Sequence, residues 1–236
     1  MDVQALDARL DLLKHQLTNI PETQELAMLL VSRTDLAGRA RDIQIQVDDL
    51  TREQRKADLD VEQVKTRRTR DQDRIDKGMI TNPKDLERMQ HEMVSLQRRI
   101  SELEDTELEV MEQLETAHRE LTDVLRQVGE LDESIAATTE KRDAKAGDVS
   151  VQLIEVTEER QQAASGMPED LMALYTKLRD QKGGVGAAAL HRRRCGGCSL
   201  VVNAAELGDI AKAPSNEVLR CEECNRILVR TSESGI

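Results

Sequence analysis

The sequence predicts a mainly α protein, a long antiparallel coiled-coil helical hairpin followed by a small C-terminal β-rich zinc ribbon. Three observations carry that expectation. Apolar residues recur three and four positions apart over most of the first 150 residues, the period of a helix seam. A short segment around Gly78 and Pro83 interrupts the pattern in its middle. The four cysteines of the chain fall into two C-x-x-C pairs, Cys195 with Cys198 and Cys221 with Cys224, with 22 residues between the pairs.

Composition supports the same class. The 236 residues include no Phe, no Trp and one tyrosine, Tyr175, so an ordinary large globular core is not expected. A third of the residues are charged, and Leu, Val, Ile, Met and Ala carry the apolar share, as in long helices. The net charge of −12 disfavours nonspecific binding of the whole molecule to nucleic acid or to an anionic membrane. No apolar run approaches the ~20 residues of a membrane span, and Met1-Asp2-Val3-Gln4 does not open a signal pattern. The expectation is a cytoplasmic protein with no membrane partner.

The first seam runs Leu6, Leu10, Leu13, Leu17, Ile20, stops at Pro21, and resumes from Leu26 to Ile75 with a register break, because Ile20 to Leu26 is a step of six. Lys77-Gly78 reads as a helix stop with Gly in the left-handed position. Asn82-Pro83-Lys84-Asp85 reads as the next start, with Asn as cap and Pro at the first helical position. A turn at about 77–82 makes the two seams antiparallel neighbours. The second seam runs from Leu86 to Val149, about 95 Å of helix at ~1.5 Å per residue. Folding the seams on each other sets residue n opposite about 161 − n, with Leu50 facing Met111, and puts Pro21 opposite a weak stretch, Thr138, Arg142 and Lys145, where a kink is expected. A seam that dimerises or grips a partner helix is the rival reading, so the chain is expected to be a monomer or a weak dimer.

The hairpin is assigned to residues 1–165. Residues 166–182 form a short helix with Leu171, Leu174, Tyr175 and Leu178 on one face, packing on the hairpin base near Leu6 and Leu10. Residues 183–236 form a flexible glycine connector and the ribbon. Within the ribbon, Ala187 to Leu190, Ser199 to Val202 with Arg220, and Ile227 to Arg230 read as short strands. Asn203-Ala204-Ala205-Glu206 starts a helix reaching about Ala211. Gly196 and Gly197 in the first knuckle and Asn225 after the second supply residues that tolerate positive φ.

Four thiolates on two knuckles match the tetrahedral sulfur set of one structural Zn ion, with no position left for water or substrate. The rival uses of such pairs are a redox dithiol, disulfides and iron. The first two lack respectively a βαβ pattern and an export signal, and iron is the residual alternative, since tetrahedral sulfur also suits it. The metal ligands are therefore Cys195, Cys198, Cys221 and Cys224, and His191 is read as exposed. No P-loop, dinucleotide fingerprint or nucleophile elbow is present, so the chain is expected not to be an enzyme.

Two surfaces remain as candidates. Arg192, Arg193 and Arg194 abut the first knuckle, and Arg220, Arg226 and Arg230 fall nearby in sequence. Together they form a basic face for RNA or DNA phosphates, unless Glu217, Glu222 and Glu223 neutralise it. The ribbon contains no aromatic residue for base stacking. At the hairpin turn, Met79 and Ile80 are apolar where polar residues would suffice. They make a docking point for a protein partner, unless Ile80 folds back over Leu86.

The tip Arg74-Ile75-Asp76-Lys77-Gly78-Met79-Ile80-Thr81-Asn82-Pro83-Lys84-Asp85-Leu86, the run Leu96 to Asp105, Leu171 to Arg179, and the two cysteine knuckles with Asn225 to Val229 resemble a bacterial family. Its members join a coiled-coil hairpin to a four-cysteine zinc ribbon and are described as zinc-ribbon nucleic-acid-binding proteins. The wording of the sequence is similar to actinobacterial members. In some flagellated bacteria a related protein is a chaperone for an alternative sigma factor and affects flagellin messenger RNA. The resemblance transfers the zinc ligands position by position and implies a non-enzymatic adaptor or chaperone-like protein that binds a macromolecular partner, with nucleic-acid binding through the ribbon. The alternative is a purely protein-binding coiled-coil scaffold in which the ribbon is only structural.

Overall fold

The computed structural model describes all 236 residues, which divide into two compact units, Glu25–Thr138 and the pair of segments Met1–Gln24 and Thr139–Ile236. Five helices and three short strands follow in order: α1 (Asp2–Thr18), α2 (Pro21–Asp76), α3 (Pro83–Ser165), α4 (Glu169–Gln181), β1 (Ala187–His191), β2 (Arg194–Cys195), α5 (Ala204–Lys212) and β3 (Ile227–Val229). The two long helices, α2 and α3, form the hairpin. No helix is long and apolar enough to cross a membrane.

Within Glu25–Thr138 the buried side chains are the ones the period selects. Ala40, Val47 and Leu50 of α2 cluster with Ala117, Leu121 and Val124 of α3. Ion pairs flank this seam on both helices, Arg33 with Asp132 at 2.8 Å and Lys65 with Glu104 at 2.6 Å. The expected facing of Leu50 and Met111 is corrected, since Met111 is 43% exposed. Met111 stands one position off the seam, between Val110 and Leu114, and those two pack on the cluster instead. The turn follows helix-stop chemistry. Gly78 has φ +63, its N–H donates to the Ile75 carbonyl, and the Met79 N–H reaches back to Arg74. Asn82 caps α3, its side-chain oxygen accepting from the Lys84 N–H at 3.1 Å.

In the other unit, α1 ends at Thr18 and α2 begins at Pro21, where the missing proline N–H costs nothing at a helix start. The helix break expected here is confined to this side. On α3 the helical hydrogen bonding continues through Arg142, Lys145 and Gly147, because a glycine in a long helix costs only about 1 kcal/mol. Leu10 and Leu13 cluster with Val156. Helix α4 meets α1 near Leu6 and Leu10, through Val3, Asp7 and Asp11. Its Tyr175 and Leu178 bury against Val3, Ala187 and Ile227, so the helix lies between the first turn of α1 and the sheet. The sheet order is β2-β1-β3, with β1 antiparallel to β2 and parallel to β3. Ser199 to Val202 is not a strand; only Val201 bridges to Arg194.

Candidate metal centre and its surroundings

Each knuckle is a turn closed on its first cysteine. The Ser199 N–H donates to the Cys195 carbonyl at 2.8 Å, and the Asn225 N–H donates to the Cys221 carbonyl at 2.8 Å. The residue after each second cysteine takes the left-handed conformation, Ser199 at φ +66 and Asn225 at φ +65. Asn225 was expected there; Gly196 and Gly197 do not have positive φ. Their smallness serves close packing instead. A Cβ on Gly196 would stand 2.9 Å from the Ala189 carbonyl oxygen, and one on Gly197 would stand 3.2 Å from the Ala188 Cβ.

The knuckles bring the four cysteine sulfurs within 4.8 Å of one another. Cys195 Sγ lies 3.8 Å from Cys224 Sγ, and Cys198 Sγ lies 3.9 Å from Cys221 Sγ. A regular tetrahedron with Zn–S bonds of about 2.3 Å has edges of about 3.8 Å, so the donor set already has the size that zinc requires. The separations are nearly double a disulfide bond of ~2.05 Å, and all four cysteines are free. Cys195 and Cys221 are buried among Ala188, Leu190, Val202, Leu207, Ile210 and Leu228, so the donor set borders the ribbon's apolar core. Burial pushes the Cys195 thiol up and the Cys221 thiol up to about 12. Burial also raises Cys224, but the Arg226 N–H and guanidinium and the neighbouring thiols outweigh it and bring Cys224 to about 7. Zinc holds all four as thiolates, and its binding releases their protons.

The basic face of the ribbon is smaller than the sequence implied. Arg226 donates to the Val185 carbonyl at 2.9 Å and the Lys182 carbonyl at 2.9 Å. Arg230 donates to Ile210, Ala213 and Pro214. Both side chains are half-buried and tie the fold together. Arg220 reaches the Asn225 carbonyl and Arg193 the Gly235 carbonyl, while remaining exposed. Arg192 and Arg194 are exposed with no side-chain hydrogen bond. Arg192 and Arg193 are the two central residues of the β1–β2 hairpin, at φ +47 and +64, where Asn and Gly are the usual occupants. His191 is exposed and faces Glu233 at 3.2 Å. At the hairpin turn Met79 is 64% exposed, and Ile80 is half-buried.

The connector departs most from expectation. Gln4, in the first turn of α1, donates to the Gly184 carbonyl at 3.0 Å, and its side-chain oxygen accepts from the N–H groups of Gly186 and Ala187. With Arg226 on the opposite carbonyls, this makes the connector a fixed strap. Gly186 is obligatory in it, since a Cβ there would stand 2.6 Å from the Tyr175 carbonyl oxygen. Beside Gln4, the buried Asp7 accepts from the Tyr175 hydroxyl at 2.7 Å and from Arg160 Nε at 2.9 Å, with Arg179 Nε at 3.7 Å. Burial raises the Asp7 carboxyl. The bonds from Arg160 and Tyr175 and the charges of Arg160 and Arg179 outweigh burial and hold it below its ordinary value. Sequence reading missed this network, although Gln4, Asp7 and Asp11 repeat at helical spacing as a second, polar stripe on α1.

Comparisons with known proteins match this architecture. Residues 3–183 match the model of the CT398-like coiled coil hairpin domain, and residues 194–228 match the C4-type zinc ribbon domain. A protein of Mycobacterium tuberculosis is 30% identical over 230 residues, covering 98% of this chain and 93% of the relative. A protein of Mycobacterium leprae is 24% identical over 222 residues, covering 94% and 95%. A solved structure from Mycobacterium smegmatis superposes with a TM-score of 0.81 at 30% identity, covering 98% of this chain and 95% of the other. That of CT398 from Chlamydia trachomatis gives 0.65 at 16% identity, covering 97% and 94%, a likeness of fold. With its hairpin and its four-sulfur centre both matched, the chain belongs to the CT398-like coiled coil hairpin family and carries a C4-type zinc ribbon.

Proposed function

We propose that the protein is a non-enzymatic adaptor that captures a protein partner at the turn of its helical hairpin, with the zinc ribbon as a metal-stabilised module. The observation that carries this reading is Met79, 64% exposed at a turn whose hydrogen bonds are made by Gly78 and Asn82 and need no apolar side chain. The closed four-sulfur donor set supports a structural and not a catalytic metal. Replacing Met79 and Ile80 with serine is expected to abolish partner capture with helicity unchanged; capture that persists at full strength refutes the reading.

A second reading, RNA or DNA binding by the ribbon, is favoured by one specific feature. Arg192 and Arg193 occupy left-handed positions at a cost of roughly 1–2 kcal/mol each. Asn and Gly would remove that cost, so the arginines fit a role outside the fold. The double substitution Arg192→Asn and Arg193→Gly is expected to leave the ribbon at least as stable while removing a salt-sensitive gel shift. No shift with the parent protein, or an undiminished shift with the variant, sets this reading aside.

A further inference from the structure

Charge is distributed along the hairpin in a way the total conceals. Residues 64–100, which flank and include the turn, hold ten Lys or Arg against six Asp or Glu, a net +4 in a chain of net −12. Eight of these ten basic residues meet a carboxylate, but several share one, so part of the positive charge is left over. Asp71 stands in the seam with its side chain 6% exposed, and Arg67, Arg70 and Arg74 surround it at 3.8, 3.6 and 3.9 Å. Three guanidinium groups share this carboxylate and Arg67 also meets Glu92, which leaves one positive charge over, and the distances to Asp71 are longer than a good hydrogen bond, so N–H donors remain turned to solvent. Lys77 and Arg88 pair with Asp73 and Asp85, Lys65 pairs with Glu104, and Arg98 and Arg99 share Glu102, the last two acids lying just beyond this section. Arg68 and Lys84 form no ion pair, and both are exposed. Apolar side chains stand within the same section, Met79 at 64% and Val94 at 71% exposed.

From this combination we infer that the hairpin turn and the helix sections beside it are the docking surface for an acidic protein segment bearing apolar side chains. The inference rests on the capture of a protein partner at the turn and names that partner's chemistry. Excess guanidinium and ammonium groups give long-range attraction and register for carboxylates. Met79 and Val94 supply the desolvated contact that makes a complex last, since exposed charge pairs alone contribute about 0–1 kcal/mol each. A nucleic acid fits the surface less well. This section has no aromatic ring on which a base could stack, and a phosphate backbone makes no use of the exposed Met79 and Val94.

The test uses the full chain and three labelled probes of similar length: a peptide of Glu and Leu, one of Lys and Leu, and polyuridylate, followed by fluorescence anisotropy. Two paired variants accompany it, Arg68→Glu with Lys84→Glu and Met79→Ser with Ile80→Ser, each checked for helicity by circular dichroism. The Glu/Leu peptide is expected to bind and to lose about tenfold or more in affinity with either pair, and also on raising ionic strength from ~0.05 to ~0.3 M. Equal binding of the Lys/Leu peptide, lost only with the serine pair, overturns the acidic chemistry while leaving capture at the turn intact. Glu/Leu binding indifferent to both pairs, or no binding, overturns both. Polyuridylate bound more tightly than the peptide and released by the glutamate pair assigns the surface to nucleic acid. A dimer in sedimentation that the same substitutions dissolve assigns it to a second copy of the chain.

Discussion

Asp7 is the residue whose removal should most weaken the hold of α1 on α4. Its carboxylate, 5% exposed as a residue, faces the Tyr175 hydroxyl and two guanidinium groups. In Asp7→Ala the arginines lose their common counter-ion and the phenol its acceptor. Breaking a fully buried ion pair costs about 3–5 kcal/mol. Arg160 and Arg179 keep 28% and 23% of their side-chain surface exposed, so water recovers part of that. About 2–3 kcal/mol is therefore expected. Tyr175→Phe removes one hydrogen bond and leaves the charges paired, and should cost only about 1 kcal/mol. The assay is built in, because Tyr175 is the chain's only aromatic residue and its fluorescence during urea unfolding reports this junction alone. Far-ultraviolet circular dichroism reports the helices as a whole. Asp7→Ala should bring the tyrosine transition to lower urea than in the parent. Because Tyr175→Phe removes the fluorophore, the two variants are compared by circular dichroism, where Asp7→Ala should unfold at the lower urea; equal effects would refute the placing of Asp7 at the centre of the network.

Other outcomes follow from the same contacts. The folded-state pKa of Asp7 lies below its ordinary value of 3.8, so its stabilisation is present above that pH and is lost as the pH falls through the lower, folded value. An acid titration of tyrosine fluorescence should show this loss in the parent and not in Asp7→Asn. Metal analysis should give one zinc per chain, and chelation should open residues 187–236 to hydrogen exchange while most helicity remains; ribbon amides that stay protected without metal would contradict a metal-dependent core. Gly186→Ala forces a Cβ to 2.6 Å from the Tyr175 carbonyl oxygen and should destabilise by about 1–3 kcal/mol. Gly208→Ala, in α5 with open space around it, should stabilise by about 0.5–1 kcal/mol. Thermal melts of the two alanine variants decide the sign of each.

The sequence revealed the parts that repeat. Seam positions such as Val47, Leu50, Ala117 and Leu121 obey a period, and Pro21, Gly78 and Pro83 mark helix ends by local sterics that need no tertiary partner. The two C-x-x-C pairs state their ligand chemistry in their spacing. Polar contacts between distant segments carry no such mark. Nothing near Gln4 announces that its amide will cross to Gly184, and a Gly-Gly-Val-Gly run reads as slack until the groups that hold its carbonyls are seen. The arginines failed for the opposite reason. Arg226 and Arg230 look like surface charge in a string of letters, but their five N–H donors are equally suited to collecting main-chain carbonyls. Met111 shows the limit of counting from a turn, because the count names a position beside the seam that Val110 and Leu114 carry.

The Gln4 strap also sets an order of events during synthesis. The glutamine amide waits for partners 180 to 183 positions further along the chain. At about 5–20 residues per second, a ribosome needs roughly 10–35 s to make that stretch. The seam between α2 and α3 can begin closing from the turn much sooner, since its first cross-helix partners lie only tens of residues apart. The first helix must wait with Val3, Gln4 and Asp7 uncovered until α4 and the first ribbon strand emerge. The nascent chain therefore closes its middle first and its beginning last, together with the segment that takes up zinc.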